Sequence, residues 1–338
     1  MDRPARHFFP CGLSGNALPA AVVFHLPPKW VAHYRGQKHL ALYTRLEDVL
    51  AARGGRVRVV PHRHDQPIPP DHDLHLVENG FSCGPGVLNA TLAYIAPYWH
   101  VDPQGVLANS SIGARDFDQR RIAIAGAMTF FRQMNARLVV PRRSRYGQSP
   151  EVEDIPSDAI AVFLQGTFPH RRGAAICSTV EMLRAVARGA GGRPVLVKPH
   201  PHPEARRSDV RDILTAQEEG CALIPTNANI HDILARCVAT VSFNSAVALE
   251  GFLHRKPAIL FGSSDFHHWS DPVADPAEFP QVLARALTRR SGYAQFLHWY
   301  FNMNCVNIDA PGFADRILGI FAAMGFDAAR LGLAGPDG

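Results

Sequence analysis

No run of apolar residues in the chain reaches the ~18 needed to cross a bilayer. The first 28 residues hold only a short apolar stretch, bracketed by Pro19 and Pro27. The expectation is therefore a soluble or peripheral protein with no signal peptide, placed in the cytoplasm. Cysteine is sparse. The six thiols, at 11, 83, 177, 221, 237 and 305, form no CxxC pair and have no zinc-finger spacing. This argues against a disulfide framework and a structural zinc module, and suits free thiols in a reducing compartment. Charge is also scarce, at 19% against 46% apolar residues, which supports a sizeable core rather than disorder. Internal repeats and low-complexity tracts are missing. The net charge of +5 is too diffuse to indicate nucleic acid, and it suits an anionic substrate or an anionic membrane surface. Short basic runs such as Arg142-Arg143-Ser144-Arg145 read first as solvated faces.

A length of 338 residues favours two domains. The second half is the more legible. Apolar runs at 159–164, 194–197, 222–224, 239–242 and 258–261 alternate with helical patterns at 174–189, 208–220, 229–237 and 246–254. Such alternation, with strands apolar on both faces, predicts a parallel sheet covered by helices. In the first half, strands are expected at 20–24, 56–60 and 74–77, helices at 38–53 and 119–135, and a strand at 138–140. The Pro-, Arg- and Ser-rich segment 141–157 reads as the linker, and 314–324 as an amphipathic helix before a frayed tail. The expected division is 1–150, 151–310, and a C-terminal helix and tail at 311–338.

Ligands of open parallel sheets bind beyond the carboxyl ends of the strands, and four motifs fall there. Lys198-Pro199-His200-Pro201-His202-Pro203 is a stiff strand exit carrying a lysine and two imidazoles. It suits a phosphate, the plainer alternative being a proline-rich loop with incidental histidines. Ser242, Asn244 and Ser245 stand between a strand and a helix, where they could cap the helix or cradle a phosphate. Glu250 follows on that helix, placed for a ribose hydroxyl or for solvent. Gln165-Gly166-Thr167 ends another strand, as a nucleotide contact or a plain turn. In the first half, Glu78 at a strand end is a general-base candidate or a turn residue. Asp102, in an Asp-Pro-x-Gly setting, is a second carboxylate candidate whose surroundings favour a turn.

In this order, these blocks resemble the bacterial capsule polysaccharide biosynthesis family, which includes retaining β-Kdo transferases. KPHP at 198–201 looks like the family's HP motif, 241–257 resembles its Ser/Thr-rich block, and Gln165 falls where the family carries a glutamine. Glu78-Asn79-Gly80-Phe81 resembles its E-x-G-aromatic block, with Asn79 where an aspartate is common. An amide cannot accept a proton, which leaves Glu78 as the candidate base. The resemblance implies a GT-B-like fold, two Rossmann-like α/β domains facing across a cleft that closes on the substrate. It implies a glycosyltransferase using a nucleotide-activated sugar, CMP-Kdo favoured, to build a capsular or other cell-surface polysaccharide. Glu78 or Asp102 would act on the acceptor. Gln165, Lys198, His200, Ser242, Asn244, Ser245 and Glu250 would hold the nucleotide, with His200 on its phosphate. No cofactor or metal is expected. The partners expected are a nucleotide-sugar donor and a glycan or glycolipid acceptor, with peripheral inner-membrane association through Arg142, Arg143 and Arg145. Two alternatives remain: a non-catalytic nucleotide- or glycan-binding relative, and a metal-dependent hydrolase using pairs such as His62-x-His64, His200-x-His202 and His267-His268.

Overall fold

Among the described residues, short β-branched and apolar runs become twelve strands, and amphipathic stretches become the helices that cover them. The computed structural model describes residues 18–63, 66–68 and 70–335. Cys11, His64, the amino-terminal stretch before residue 18 and the tail 336–338 lie outside the described residues. The first sheet contains β1 (Val22–Leu26), β2 (Val57–Pro61), β3 (Leu74–Glu78), β4 (Val87–Leu92) and β5 (Tyr98–Asp102). The second contains β6 (Ile160–Phe163), β7 (Val195–Lys198), β8 (Ile224–Pro225), β9 (Ala239–Ser242), β10 (Ala258–Leu260) and β11 (Asp271–Pro272). The last strand, β12 (Val306–Asn307), pairs with β5, so the order of the first sheet is β12-β5-β4-β3-β1-β2. The expected division at 310 thus falls just after a strand that belongs to the first sheet.

The second sheet is parallel throughout and runs β11-β10-β9-β6-β7-β8. Its strand order reverses between β6 and β9, and that switch point opens a crevice at the carboxyl ends of the strands. The first sheet is parallel from β2 to β4, but β5 pairs antiparallel with β4, and β12 pairs antiparallel with β5. The link between β4 and β5, residues 93–97, is too short for the crossover a parallel pair needs.

The helices are α1 (Ala41–Ala51), α2 (Ile124–Met134), α3 (Phe168–Arg171), α4 (Thr179–Gly189), α5 (Pro203–Glu218), α6 (Ile230–Arg236), α7 (Val247–Leu253), α8 (Phe279–Ala286), α9 (Tyr293–Leu297) and α10 (Phe313–Ala323). Two starts differ from expectation for local reasons. A capping box between Ser178 and Glu181 begins α4 at 179 rather than 174. Pro203, at a first helical position that needs no N–H, begins α5 five residues early. The strand expected at 138–140 does not form. Residues Asn135–Val139 continue α2 as a π-helical turn, because Met134 and Leu138 share the face that enters the core.

The first sheet has two unlike faces. Val22, Phe24, Leu26, Leu74, Leu76, Leu88 and Ala90 pack with α1 and α10 in one apolar core. Alternation turns His25, His75, Asn89, Thr91, His100 and Asp102 to the other face, where all are buried. In the second domain, separate cores cover the two faces of the sheet. A further core joins the domains, packing residues such as Tyr98, Phe130 and Phe131 against Leu249, Phe252, Phe296 and Phe301. At its edge, Asp265 is fully buried. It accepts hydrogen bonds from Tyr94 (2.9 Å), Ser110 (2.6 Å) and Tyr300 (2.7 Å). No helix among the described residues is long and apolar enough to cross a membrane.

Candidate functional site

The carboxyl ends of both sheets face a cleft of 670 Å³. Gln165, Lys198, His200, Asn244, Ser245 and Glu250 all line it, brought together from the ends of β6, β7 and β9 and from α7. From the first domain come Asn79, Gly80, Phe81, Thr91 and Tyr94, and from the linker Ser144, Arg145, Tyr146 and Gln148. Four lining residues are cationic (Arg145, Arg171, Arg172 and Lys198), against the carboxyls of Glu204 and Glu250. The cleft is suited to an anion.

At the switch point, Gln165 and Asn244 form a double link. Gln165 Nε2 donates to Asn244 Oδ1 at 3.0 Å, and the Asn244 backbone N–H donates to Gln165 Oε1 at 3.1 Å. Sequence reasoning missed the residue that holds the adjacent loops. Buried Asp209, on α5, accepts the N–H of Gly166 and the N–H of His200, each at 2.8 Å. One carboxylate thereby fixes the exits of β6 and β7. Burial pushes its carboxyl up to about 6, opposed by those two N–H groups. Gly166 is required here: its φ is +59°, and a Cβ would lie 2.7 Å from that of Ala205 on α5. A polar residue six positions into a charged helix gave no signal of this role.

The His200 imidazole has a defined tautomer. Its Nδ1 accepts the His202 backbone N–H at 3.1 Å, so the neutral ring carries its proton on Nε2. Burial, with His202 and Arg145 nearby, lowers its pKa and keeps the ring neutral. The free Nε2–H is a donor available to a phosphate oxygen. Lys198 is committed elsewhere, because its ammonium donates to the carbonyls of Asn227 (3.0 Å) and Ala228 (2.7 Å). The serines serve the helix. Ser242 is buried away from the cleft and caps the Ser245 N–H at 3.1 Å, while Ser245 Oγ accepts the Val247 N–H at 3.3 Å. Glu250 is buried at the cleft wall, where desolvation raises its carboxyl to about 7, with the Ser144 hydroxyl opposing.

Neither expected carboxylate of the first domain lines the cleft. Asp102 is buried under its own loop. Its oxygens accept N–H groups of Gln104 (2.8 Å), Gly105 (3.2 Å) and Ser111 (2.9 Å), and the Ser111 hydroxyl (2.6 Å). Glu78 is 5% exposed, beneath Asn79. Burial drives its carboxyl up to about 8, against the opposing hydroxyls of Tyr43 and Thr91 and the Arg145 charge. Asn79 presents its side chain to the cleft from a left-handed backbone (φ 53°). Its amide donates to Glu78 Oε1 at 2.9 Å, and its oxygen accepts the Thr91 hydroxyl at 2.6 Å. A Cβ at Gly80 would collide with Asn89 Oδ1 and Val77, so the turn after β3 admits only glycine there.

The basic run at 142–145 does not form one free cationic face: Arg142 is ion-paired with Asp232, and Arg145 faces the cleft. The histidine pairs do not gather with carboxylates into a metal-ligand group among the described residues. The group there that is spaced to share a cation is Asp71, His72 and Asp73. Asp73 in that group is already bonded to the Ala21 N–H and to Arg58.

Two mostly parallel α/β domains facing across a cleft, with a neutral histidine and a Gln–Asn pair at the switch point of the second, define a GT-B-like fold. Residues 159–271, a stretch within the second domain, match the family model described as capsule polysaccharide biosynthesis protein. No curated protein matches the chain significantly. Among solved structures, the chain is similar to the β-Kdo 2,7 transferase of Thermosulfurimonas dismutans KpsC. Identity is 12% over 89% of this chain and 99% of that one, with a TM-score of 0.50. The β-Kdo 2,4 transferase of the same protein is 15% identical over 83% and 90%, at 0.49. The Methanocaldococcus jannaschii UDP-GlcNAc 2-epimerase in complex with UDP-GlcNAc and UDP is 9% identical over 90% and 100%, at 0.37.

Proposed function

We propose that this chain is a glycosyltransferase that uses a nucleotide-activated sugar, CMP-linked in preference, to build a capsular or other cell-surface polysaccharide. The observation that carries this reading is the convergence of Gln165, His200, Asn244, Ser245 and Glu250 on one cationic cleft between two α/β domains. The family match over 159–271 supports it, and the similarity to a β-Kdo transferase supports the sugar class.

In this reading the nucleotide lies against the second sheet. His200 Nε2–H donates to its phosphate, and Glu250 at the cleft wall takes ribose hydroxyls. Negative charge grows on the leaving nucleotide as the glycosidic bond breaks. Fixed donors and cations already aimed at that position stabilise it without reorganising, with no metal invoked. The acceptor, a glycan or glycolipid, enters from the Asn79–Phe81 side. His200→Ala tests the assignment. Affinity for nucleotide should fall about tenfold with the fold intact, because one hydrogen bond to a charged group is lost. Unchanged affinity in calorimetry would sink the reading.

A second reading has one specific observation in its favour. The polar residue by which the E-x-G-aromatic block lines the cleft is an amide, Asn79, while Glu78 is buried beneath it. A binding protein of this fold without turnover is consistent with that arrangement. Donor consumption followed in wild type and in Glu78→Gln separates the two readings, since a binding protein has no turnover to lose.

A further inference from the structure

The cation expected to meet the phosphate, Lys198, spends two of its three donors on backbone carbonyls. Arg172 lays its guanidinium over the rings of Phe81 and Phe168, at 5.7 and 5.5 Å. Arg145 is placed differently. It is exposed in the cleft, with no carboxylate partner among the described residues, on the linker between the domains. Its guanidinium lies 5.6 Å from the Tyr146 ring, and that ring meets the His200 imidazole edge-on with centroids 5.0 Å apart. Cation and imidazole thus flank one aromatic ring. The Arg145 charge is also felt by groups of both domains, opposing ionisation of His200 and favouring that of Glu78.

The linker around Arg145 is pinned on both sides. Before it, Arg142 pairs with Asp232, and Asn229 Nδ2 donates to the Arg142 carbonyl at 3.2 Å. The His231 ring donates Nε2–H to the Arg143 carbonyl at 2.8 Å. After it, Gln148 Oε1 accepts the Ile230 N–H at 3.1 Å. All four tethers come from the first turn of α6 or its cap. A loop of four residues, 144–147, between such anchors has little conformational freedom to lose on binding.

We propose that Arg145 is a phosphate-recognition cation of the cleft, a specificity residue carried by the interdomain linker that acts beside His200 on the nucleotide. The proposal rests on the nucleotide-sugar reading above and adds to it a residue from outside the matched family region, which begins at 159. A planar guanidinium is a suitable partner for phosphate oxygens, since it offers parallel N–H donors and is always charged.

The test is calorimetric binding of CMP, UMP and GMP, and of their phosphate-free nucleosides, to wild type, Arg145→Met and Arg145→Lys, each at low and high salt. Arg145→Met should weaken the best-binding monophosphate by about tenfold and leave its nucleoside unchanged, because the lost contact is a charge-assisted hydrogen bond to phosphate. The salt dependence of monophosphate binding should flatten in the same variant. Arg145→Lys should recover part of the affinity at low salt. Monophosphate binding that is unchanged in Arg145→Met, or lost in equal proportion with the nucleoside, overturns the assignment and leaves the nucleotide reading standing. A wild-type protein that binds none of the three monophosphates removes both.

Discussion

Glu78 shows how much a single side chain's setting matters. Its carboxyl is held at about 8 in the folded chain, against 4.5 for an ordinary glutamate. The folded state therefore keeps a proton that the unfolded state releases across that window. Stability from this group is fully present below pH 4.5 and is lost as pH rises toward 8. The slope is on the order of 1.4 kcal/mol per pH unit at most. Glu78→Gln keeps an oxygen for the Asn79 amide and removes the ionisation. Its melting temperature should exceed that of wild type by a few degrees at pH 8, with the difference closing toward pH 5. Parallel melting curves across that range would contradict the buried placement. The block Glu78-Asn79-Gly80-Phe81 was legible in the sequence as a strand end, and so was the departure at Asn79. Which of the two polar side chains meets the cleft was not legible, because it depends on a left-handed turn and on what packs beneath it.

At the scale of the element, the exits of β6 and β7 behave as one unit because Asp209 on α5 accepts an N–H from each. Asn at 209 has one acceptor oxygen and must set its NH₂ against the second N–H. Asp209→Asn should lower nucleotide affinity about tenfold and stability by about 1–2 kcal/mol, the cost of one lost buried hydrogen bond. The wild-type carboxyl sits at about 6, and its protonation likewise removes an acceptor. Wild-type affinity should therefore fall as pH drops through 6, and the Asn variant should lack that component. Affinity profiles for wild type and variant from pH 5 to 8 check this, and identical profiles would exclude the clamp. The Lys-Pro-His-Pro exit and the glycine after Gln165 could be read from sequence as stiff turns. The clamp joining them could not, since Asp209 lies 43 residues from Gly166.

For the whole molecule, the joint between domains is a packed core rather than a hinge surface. Aromatic residues of both domains interlock there, and Asp265 binds Tyr94 and Ser110 from one side and Tyr300 from the other. An interface of this kind couples the unfolding of its two halves. Denaturant should unfold the chain in one transition, by both tryptophan fluorescence and circular dichroism. Asp265→Ala strands three buried hydroxyls and should cost about 3–5 kcal/mol. Asp265→Asn should cost less. Two separate transitions in the wild type would show that the domains do not share a core.

The sequence alone determined the alternating α/β order of the second half, the strand ends that bear polar residues, and the capsule-family resemblance. These depend on local apolar periodicity and on residues adjacent in the chain. The first half was harder to read, because β4 and β5 bury Asn89, Thr91, His100 and Asp102, and polar residues at inward positions erase the apolar signal. Tertiary structure decided the rest. It returned β12 to the first sheet, took Lys198, Ser242 and Asp102 into backbone caps and tethers, and turned Arg145 of the linker into the cleft. Each of these depends on partners distant in sequence or on the direction of a side chain, and neither is fixed by local pattern.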